Sequence, residues 1–335
     1  MVAQMRRAVV AGLCVLSSSS LGAFAACGGS VGVESARPPE GEGGTAPTFG
    51  TTDARPPSKP DDLRRCLRTG FNAPVSIPGF ATSNVETSPH LTSDELTIVF
   101  SRLDGERGFY VATRPSRAMP FSTPVRLPVD GDASDADPMM APDGLALFFT
   151  SSRASSVGGS NIWVTRRASR TEPFGAPVLL DGASSTSDDY HPFAVPGGGL
   201  WLASTRKAAG RSDIFFAPEL ADGGLGEPLT SNLSAGVDGT PVPSADGLRL
   251  YFSSRRPPSQ LTDIWAGARS VDSGPFEGPV QVAELDSSGN DVPGWVSPDD
   301  CRMYFHSDRG GAPGQFHLYV AARPGDPCPE RTTCE

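Results

Sequence analysis

Apolar and polar residues alternate along most of the chain in short runs broken by Gly, Pro, Asp or Ser. The run Leu248, Leu250, Phe252 is typical: one apolar side chain every second residue, the pattern of a strand with one face covered. No stretch of good helix formers survives long enough to carry a 3.6-residue period, because Pro or Gly interrupts nearly every window. The pattern predicts an all-β protein of many short strands joined by tight turns.

The runs are copies of one another. A polar turn followed by an alternating strand occurs five times, at Thr92–Phe100, Ala141–Phe149, Val195–Ala203, Ser244–Phe252 and Ser297–Phe305. Their anchors, Asp94, Asp143, Gly197, Asp246 and Asp299, are 49, 54, 49 and 53 residues apart, enough for four short strands and their loops. After each block comes a Ser/Thr-rich segment ending in arginine: Arg102, Arg153, Arg206, Arg255 and Arg309. A third strand follows, at Phe109–Val111, Asn161–Val164, Asp213–Phe216, Asp263–Ala266 and His317–Val320. A fourth carries a Phe-x-x-Pro-Val signature at Phe121, Phe174 and Phe276, with a looser copy at Leu225–Leu229.

These units resemble the TolB-type propeller repeat, with its Ser-Pro-Asp-Gly turn, Ser-x-Arg segment and Asp-Ile-Tyr/Trp strand. The resemblance spans roughly residues 71 to 323 and implies a β-propeller, since one four-stranded unit cannot hide its apolar faces without neighbours. The fourth-strand signature also precedes the first repeat, at Phe71–Val75, and is missing after the fifth. The expected fold is therefore a five-bladed β-propeller over residues 63–325, with the N-terminal strand closing the last blade. Six blades would need a degenerate unit that the sequence does not contain.

The first residues differ from the rest. Arg6 and Arg7 precede a short apolar run, Ala8–Leu16, and small residues then lead to Cys27. Residues 1–26 are read as a signal peptide and Cys27 as a lipidation site, by resemblance to the bacterial lipobox; Phe24 stands where leucine is usual. Ordinary cleavage after Ala25 is the alternative. Residues 27–62, rich in Gly, Pro, Thr and Glu, are read as a flexible tether. The reading makes the protein an exported lipoprotein facing the periplasm, held to the membrane through its lipid alone. Gly28 lacks the acidic residue that retains enteric lipoproteins at the inner membrane, which favours the outer one.

Lipidation of Cys27 and loss of Cys14 with the signal leave Cys66, Cys301, Cys328 and Cys334, the last two in or beside a tail at 326–335. An even number of cysteines in an oxidising compartment favours disulfides. Strand direction places Cys66, Cys301 and Cys328 at one edge of the fifth blade. Of the three possible connectivities, Cys66–Cys301 with Cys328–Cys334 is the expected one. The competing reading makes Cys301 a small buried residue where Leu96, Leu145 and Leu248 stand in the sister repeats.

A net charge of −10 excludes a cationic nucleic-acid groove. A carboxylate stands eight residues before every anchor: Glu86, Asp135, Asp189, Asp238 and Asp291. With the five arginines these form either a cation or sugar site at the channel mouth, or a repeated ion pair that fixes each blade; a feature present in all units favours the second. The cluster Asp130, Asp132, Asp135 and Asp137 lacks the glycine and terminal glutamate of a calcium loop and reads as a solvated acidic loop. Neither histidines nor cysteines have metal-ligand spacing, so no metal and no cofactor is expected. Nucleophile-elbow and phosphate-cradling motifs are also missing. The asymmetric residues Asp189, Tyr190, His191, His90 and Trp295, together with Trp201, form the candidate binding face, whereas Trp163 and Trp265 occupy a repeated core station.

Three functions compete. The leading one is a non-catalytic scaffold that binds an envelope protein or a cell-wall glycan; the resemblance adds peptidoglycan-associated lipoproteins as partners, although a tether replaces the N-terminal domain of TolB. The second is a glycan-acting hydrolase using channel carboxylates, for which five equivalent acids are the wrong arrangement. The third is a sensor or scaffold subunit of a larger envelope complex.

Overall fold

The computed structural model describes residues 69–324, apart from 81, 130–134, 197, 209, 222–223, 234–236, 259–260 and 272. The signal peptide, Cys27, the tether, Cys66, Cys328, Cys334, the tail, Asp130, Asp132 and the anchor Gly197 lie outside the described residues.

The chain opens with β1 (Val75–Ser76) and then builds its first complete blade from β2 (Val85–Leu91), β3 (Thr97–Asp104), β4 (Glu106–Thr113) and β5 (Val125–Arg126). The second blade holds β6 (Ala136–Met140), β7 (Ala146–Ser151), β8 (Asn161–Arg166) and β9 (Val178–Leu179). The third holds β10 (Asp189–Ala194), β11 (Leu200–Ala208), β12 (Arg211–Ala217) and β13 (Leu229–Thr230). The fourth holds β14 (Asp238–Pro243), β15 (Arg249–Ser254), β16 (Asp263–Ala268) and β17 (Glu277–Gln281). A 3-10 turn, Ala283–Leu285, leads to β18 (Asp291–Val296), β19 (Arg302–Ser307) and β20 (His317–Ala322). Each blade is an antiparallel meander from the axis outward. The fifth is completed by the chain's beginning, in the order β18-β19-β20-β1.

This is the five-bladed ring read from the repeats. Its closure is in register: Val75 pairs with Val320 and Ser76 with Tyr319, and the Ile77 amide donates to the Leu318 carbonyl at 3.1 Å. Side chains fasten the same seam. Glu95 of the first blade accepts Arg302 Nε of the fifth at 2.7 Å, with both groups buried.

Five apolar clusters fill the five junctions between neighbouring blades. That distribution explains the alternation in the sequence: second-strand residues such as Phe148, Leu202, Phe252 and Phe305 are almost fully covered by a neighbouring blade. Each such side chain contributes about 1.5–3 kcal/mol relative to exposure, so no blade is stable without its neighbours. Phe193 reaches the axis and packs against four of the five clusters.

The anchor aspartates shape the hairpins. Asp246 Oδ1 accepts the Ser244 hydroxyl at 2.6 Å and the Leu248 amide at 3.0 Å, and Asp94 repeats both bonds with Thr92 and Leu96. The following residue takes a left-handed backbone, with φ 72° at Gly144 and 68° at Gly247. Glu95 (61°) and Asp300 (55°) adopt it without being glycine, and the carboxylate of each is held by an arginine from a neighbouring blade.

Cys301 is disulfide-bonded. It is also buried where its sister repeats place leucine. The cysteines expected to pair with it lie outside the described residues.

Candidate functional site

Every innermost strand begins within one residue of the repeated carboxylate, and that end defines the entry face of the ring. The carboxylates do not open into the channel; all five are buried and bonded to arginine. Arg153 Nη2 reaches both Asp135 oxygens at 2.8 Å, Arg206 reaches Asp189 at 2.8 Å, and Arg309 reaches Asp291 at 2.6 Å. A serine two residues before the arginine steadies its Nε, as Ser204 does for Arg206 at 3.0 Å. The same guanidinium returns to the preceding crossover, Arg206 to the Ala183 carbonyl at 2.7 Å. It also lies over a third-strand ring: Arg153 is 5.0 Å from Trp163 and Arg256 is 5.1 Å from Trp265. One residue thus ties inner strand, third strand and crossover together, and the repeated tryptophans are its platform.

Two blades depart from the expected correspondence. In the fourth blade Arg256, not Arg255, holds Asp238, at 2.9 and 2.8 Å. Arg255 is exposed and donates to Thr262 Oγ1 at 3.0 Å. The clamp requires arginine two residues after the serine, and in Ser254-Arg255-Arg256 that is the second arginine. In the first blade Arg102 lies directly across from Glu86, at the station held by Ser204, Ser254 and Ser307 elsewhere. The longer acid matches this shift: Glu86 receives Arg102 Nη2 at 2.7 Å, and burial, partly offset by Arg102 and Thr82, raises its pKa.

Just inside the clamps each inner strand carries a bulge. Two residues after the acid, the five blades place Ser88, Asp137, His191, Thr240 and Pro293. The first four have left-handed backbones, φ 54°, 53°, 54° and 47°, and each precedes a proline. Such conformations cost on the order of 1–3 kcal/mol apiece for residues other than glycine. The bulge lets Ser88, Asp137, His191 and Thr240 line a narrow axial cavity of about 30 Å³.

Asp137 is the hub of this ring. Its Oδ1 accepts the Ser88 hydroxyl at 2.9 Å, its Oδ2 accepts the Thr150 hydroxyl at 3.1 Å, and His191 Nε2 lies 3.5 Å from Oδ1. His306 accepts the Ser88 amide at 3.2 Å through Nδ1 and is buried, which lowers its pKa to about 3. Ser88, Asp137 and His191 do not form a nucleophile relay. The carboxylate stands between hydroxyl and imidazole, so the imidazole does not touch the serine hydroxyl. The arrangement instead presents one carboxylate, one imidazole and hydroxyls to whatever enters the channel. Asp135 and Asp137, read as part of a solvated acidic loop, are thus a buried clamp and a channel residue; strand alternation would put them on one face, and the left-handed backbone at Asp137 within the bulge turns them apart.

The remaining sequence candidates scatter. Asp189 is inside its clamp, and Tyr190 is half-buried beside Ser212, with burial raising its pKa. Trp295 is buried in the core, 5.8 Å from Tyr304 in an edge contact. His90 lies deeper on the axis, 5.1 Å from Phe193 in an edge contact. Neither of its ring nitrogens has a hydrogen-bond partner, and burial lowers its pKa to about 3. His191 alone of the predicted asymmetric residues joins the Asp137 ring. Sequence reasoning missed the ring as a unit, although its acid-x-polar-Pro pattern recurs in four blades. Among the described residues Asp263, Asp286 and Asp291 bring carboxylate oxygens within 4.8 Å of one another, but Asp291 is already held by Arg309 and Ser287, and Asp263 by Gln281.

No family model matches the chain, and no curated protein matches it. Solved structures do share its fold. A thermostable family-43 glycoside hydrolase superposes with a TM-score of 0.53 at 15% identity, covering 78% of this chain and 99% of its own. A protein assigned as TolB from Agrobacterium tumefaciens gives 0.48 at 15% identity, over 76% of this chain and 99% of its own. The α-L-arabinofuranosidase of Podospora anserina, solved with cellotriose, gives 0.48 at 13%, over 77% and 96%. The likeness to the family-43 hydrolase is one of fold and nothing finer.

Proposed function

We propose that this chain is a non-catalytic, lipid-anchored propeller of the cell envelope that binds a cell-wall glycan or an envelope protein at its entry-face channel mouth. The carrying observation is the composition of the axial ring. Of Ser88, Asp137, His191, Thr240 and Pro293, one is a carboxylic acid. Glycoside hydrolysis needs two carboxyls, about 5–10 Å apart and in different protonation states. The repeated acids that could supply the second are buried against arginines. A fixed carboxylate beside an imidazole and hydroxyls suits recognition of sugar hydroxyls or of a polar peptide segment.

Two measurements test this reading. Purified protein is sedimented with insoluble peptidoglycan and screened on a glycan array, alongside Asp137→Asn and His191→Ala. Binding that both variants weaken, with no release of reducing sugar, is expected. Sugar release by the parent that vanishes in Asp137→Asn establishes a hydrolase instead. Anchoring is tested separately: Cys27→Ser is expected to lose palmitate labelling and leave the membrane fraction, and retention of both overturns the lipoprotein reading.

A further inference from the structure

The opposite, exit face has a site of a different kind. A cavity of about 750 Å³ opens where the innermost strands end and runs between the third and fourth blades. That is the size range of pockets for drug-sized molecules.

The cavity lies where the repeat fails. In four blades an arginine after the third strand donates through Nε to the hairpin carbonyl: Arg114 to Glu95, Arg167 to Gly144, Arg269 to Gly247 and Arg323 to Asp300, all between 2.7 and 3.0 Å. Each guanidinium also covers an aromatic ring, Phe121, Phe174, Phe276 or Phe71, at 3.9–4.6 Å. In the third blade these stations hold Pro218 and Leu225, so this hairpin has neither the cation nor the ring.

Aromatic surface replaces them. Trp201 pairs across the sheet with Phe216, ring centroids 4.9 Å apart. The sister stations of Trp201 are Ile98, Leu147, Leu250 and Met303, and those of Phe216 are Ala112, Thr165, Gly267 and Ala321. Phe276 of the fourth blade closes the cradle, 5.9 Å from Trp201 in an edge contact. Phe193, Met139 and Trp295 line the axial end.

Among the described residues the titratable groups lining the cavity are His90, Asp246 and Arg269. Asp246 accepts Ser244 and Leu248, and Arg269 donates to Gly247 and Gly274. His90 is held neutral by burial. Among the described residues the wall therefore offers aromatic faces and no uncommitted charge, which complements an uncharged ligand and penalises an ion.

We propose that the exit-face cavity between the third and fourth blades binds a neutral, largely apolar small molecule carrying an aromatic ring. It stacks in the cradle of Trp201, Phe216 and Phe276. This site is independent of the entry-face reading, which is tested on Asp137 and His191, so either can fail alone.

The probe is N-phenyl-1-naphthylamine, neutral and planar, titrated by its own fluorescence and by quenching of protein tryptophan. Saturable one-to-one binding is expected. The double variant Trp201→Leu/Phe216→Ala, which installs residues that sister blades carry at these stations, is expected to weaken it about tenfold or more. Ala245→Trp adds bulk at an exposed hairpin residue lining the cavity and leaves the core untouched, so it tests blockage even if the double variant folds poorly. Absence of saturable binding by the parent, or unchanged affinity in Ala245→Trp, overturns the site. Equal affinity for the anionic 8-anilinonaphthalene-1-sulfonate overturns the neutral class.

Discussion

Replacing His90 by leucine is expected to flatten the acid side of the stability profile by about 2 kcal/mol. The imidazole is buried on the propeller axis with neither nitrogen bonded, and desolvation alone holds its pKa down to about 3 in the folded protein. In the unfolded chain it returns to about 6.5. The unfolded state therefore takes up the proton first. Stability is intact above about pH 6.5 and is lost as pH falls through the window toward 3. Proton uptake favours the unfolded chain by about 0.2 kcal/mol at pH 7 and about 2 kcal/mol at pH 5, taking RT ln(1 + 10^(6.5 − pH)). His306, with a folded pKa also near 3, acts in the same direction, but Asp137, Asp308 and His191 all face it. His90 is the cleaner case.

Urea unfolding followed by tryptophan fluorescence at pH 7 and pH 5 measures the effect. His90→Leu preserves apolar volume and removes two unbonded nitrogens, so at pH 7 it should be at least as stable as the parent. Its loss between pH 7 and pH 5 should be smaller by about 2 kcal/mol. Parallel profiles for parent and variant refute the reasoning, because they place a protonatable imidazole in the folded ring.

Two further predictions concern the fold. Arg256→Ala strands the buried Asp238 carboxylate and should cost about 3–5 kcal/mol in urea unfolding, whereas Arg255→Ala should change stability by less than about 1 kcal/mol; equal costs refute the reassignment. Reduction should lower stability by about 2–4 kcal/mol through loss of the Cys301 disulfide, and non-reducing peptide mapping should link Cys301 to Cys66, which a Cys301–Cys328 or Cys301–Cys334 peptide refutes.

The blades were legible because their cause is local and repeated. Alternation is encoded within a few residues five times over, and the turn aspartate and the Ser-x-Arg spacing four times each. Closure was legible from one misplaced copy, Phe71–Val75, which has no earlier strand to pair with except in the last blade. The error at Arg255 came from aligning the end of a segment instead of counting from Ser254, the residue whose hydroxyl fixes the arginine. The Asp137 ring was hidden for a different reason. A bulge reverses which side chain faces the channel, and period-two reading has no means of placing it. The proline after Ser88, Asp137, His191 and Thr240 is the signal that could have found it.

A motif copied around a ring separates two kinds of residue by symmetry alone. Whatever all five blades share has to serve what all five blades do, which is to hold inner strand, crossover and neighbour together. The carboxylate–arginine clamps meet that description, and no blade lacks one. The exit-face arginine does not meet it, since the third blade dispenses with it and still packs Leu202 and Phe215 in a full junction. Dispensing with it exposes apolar ring surface toward a cavity, which folding alone does not favour. The same blade supplies His191 to the channel ring at its other end. Departures from the repeat thus converge on one blade at both mouths of the axis, with Phe193 of that blade standing between them.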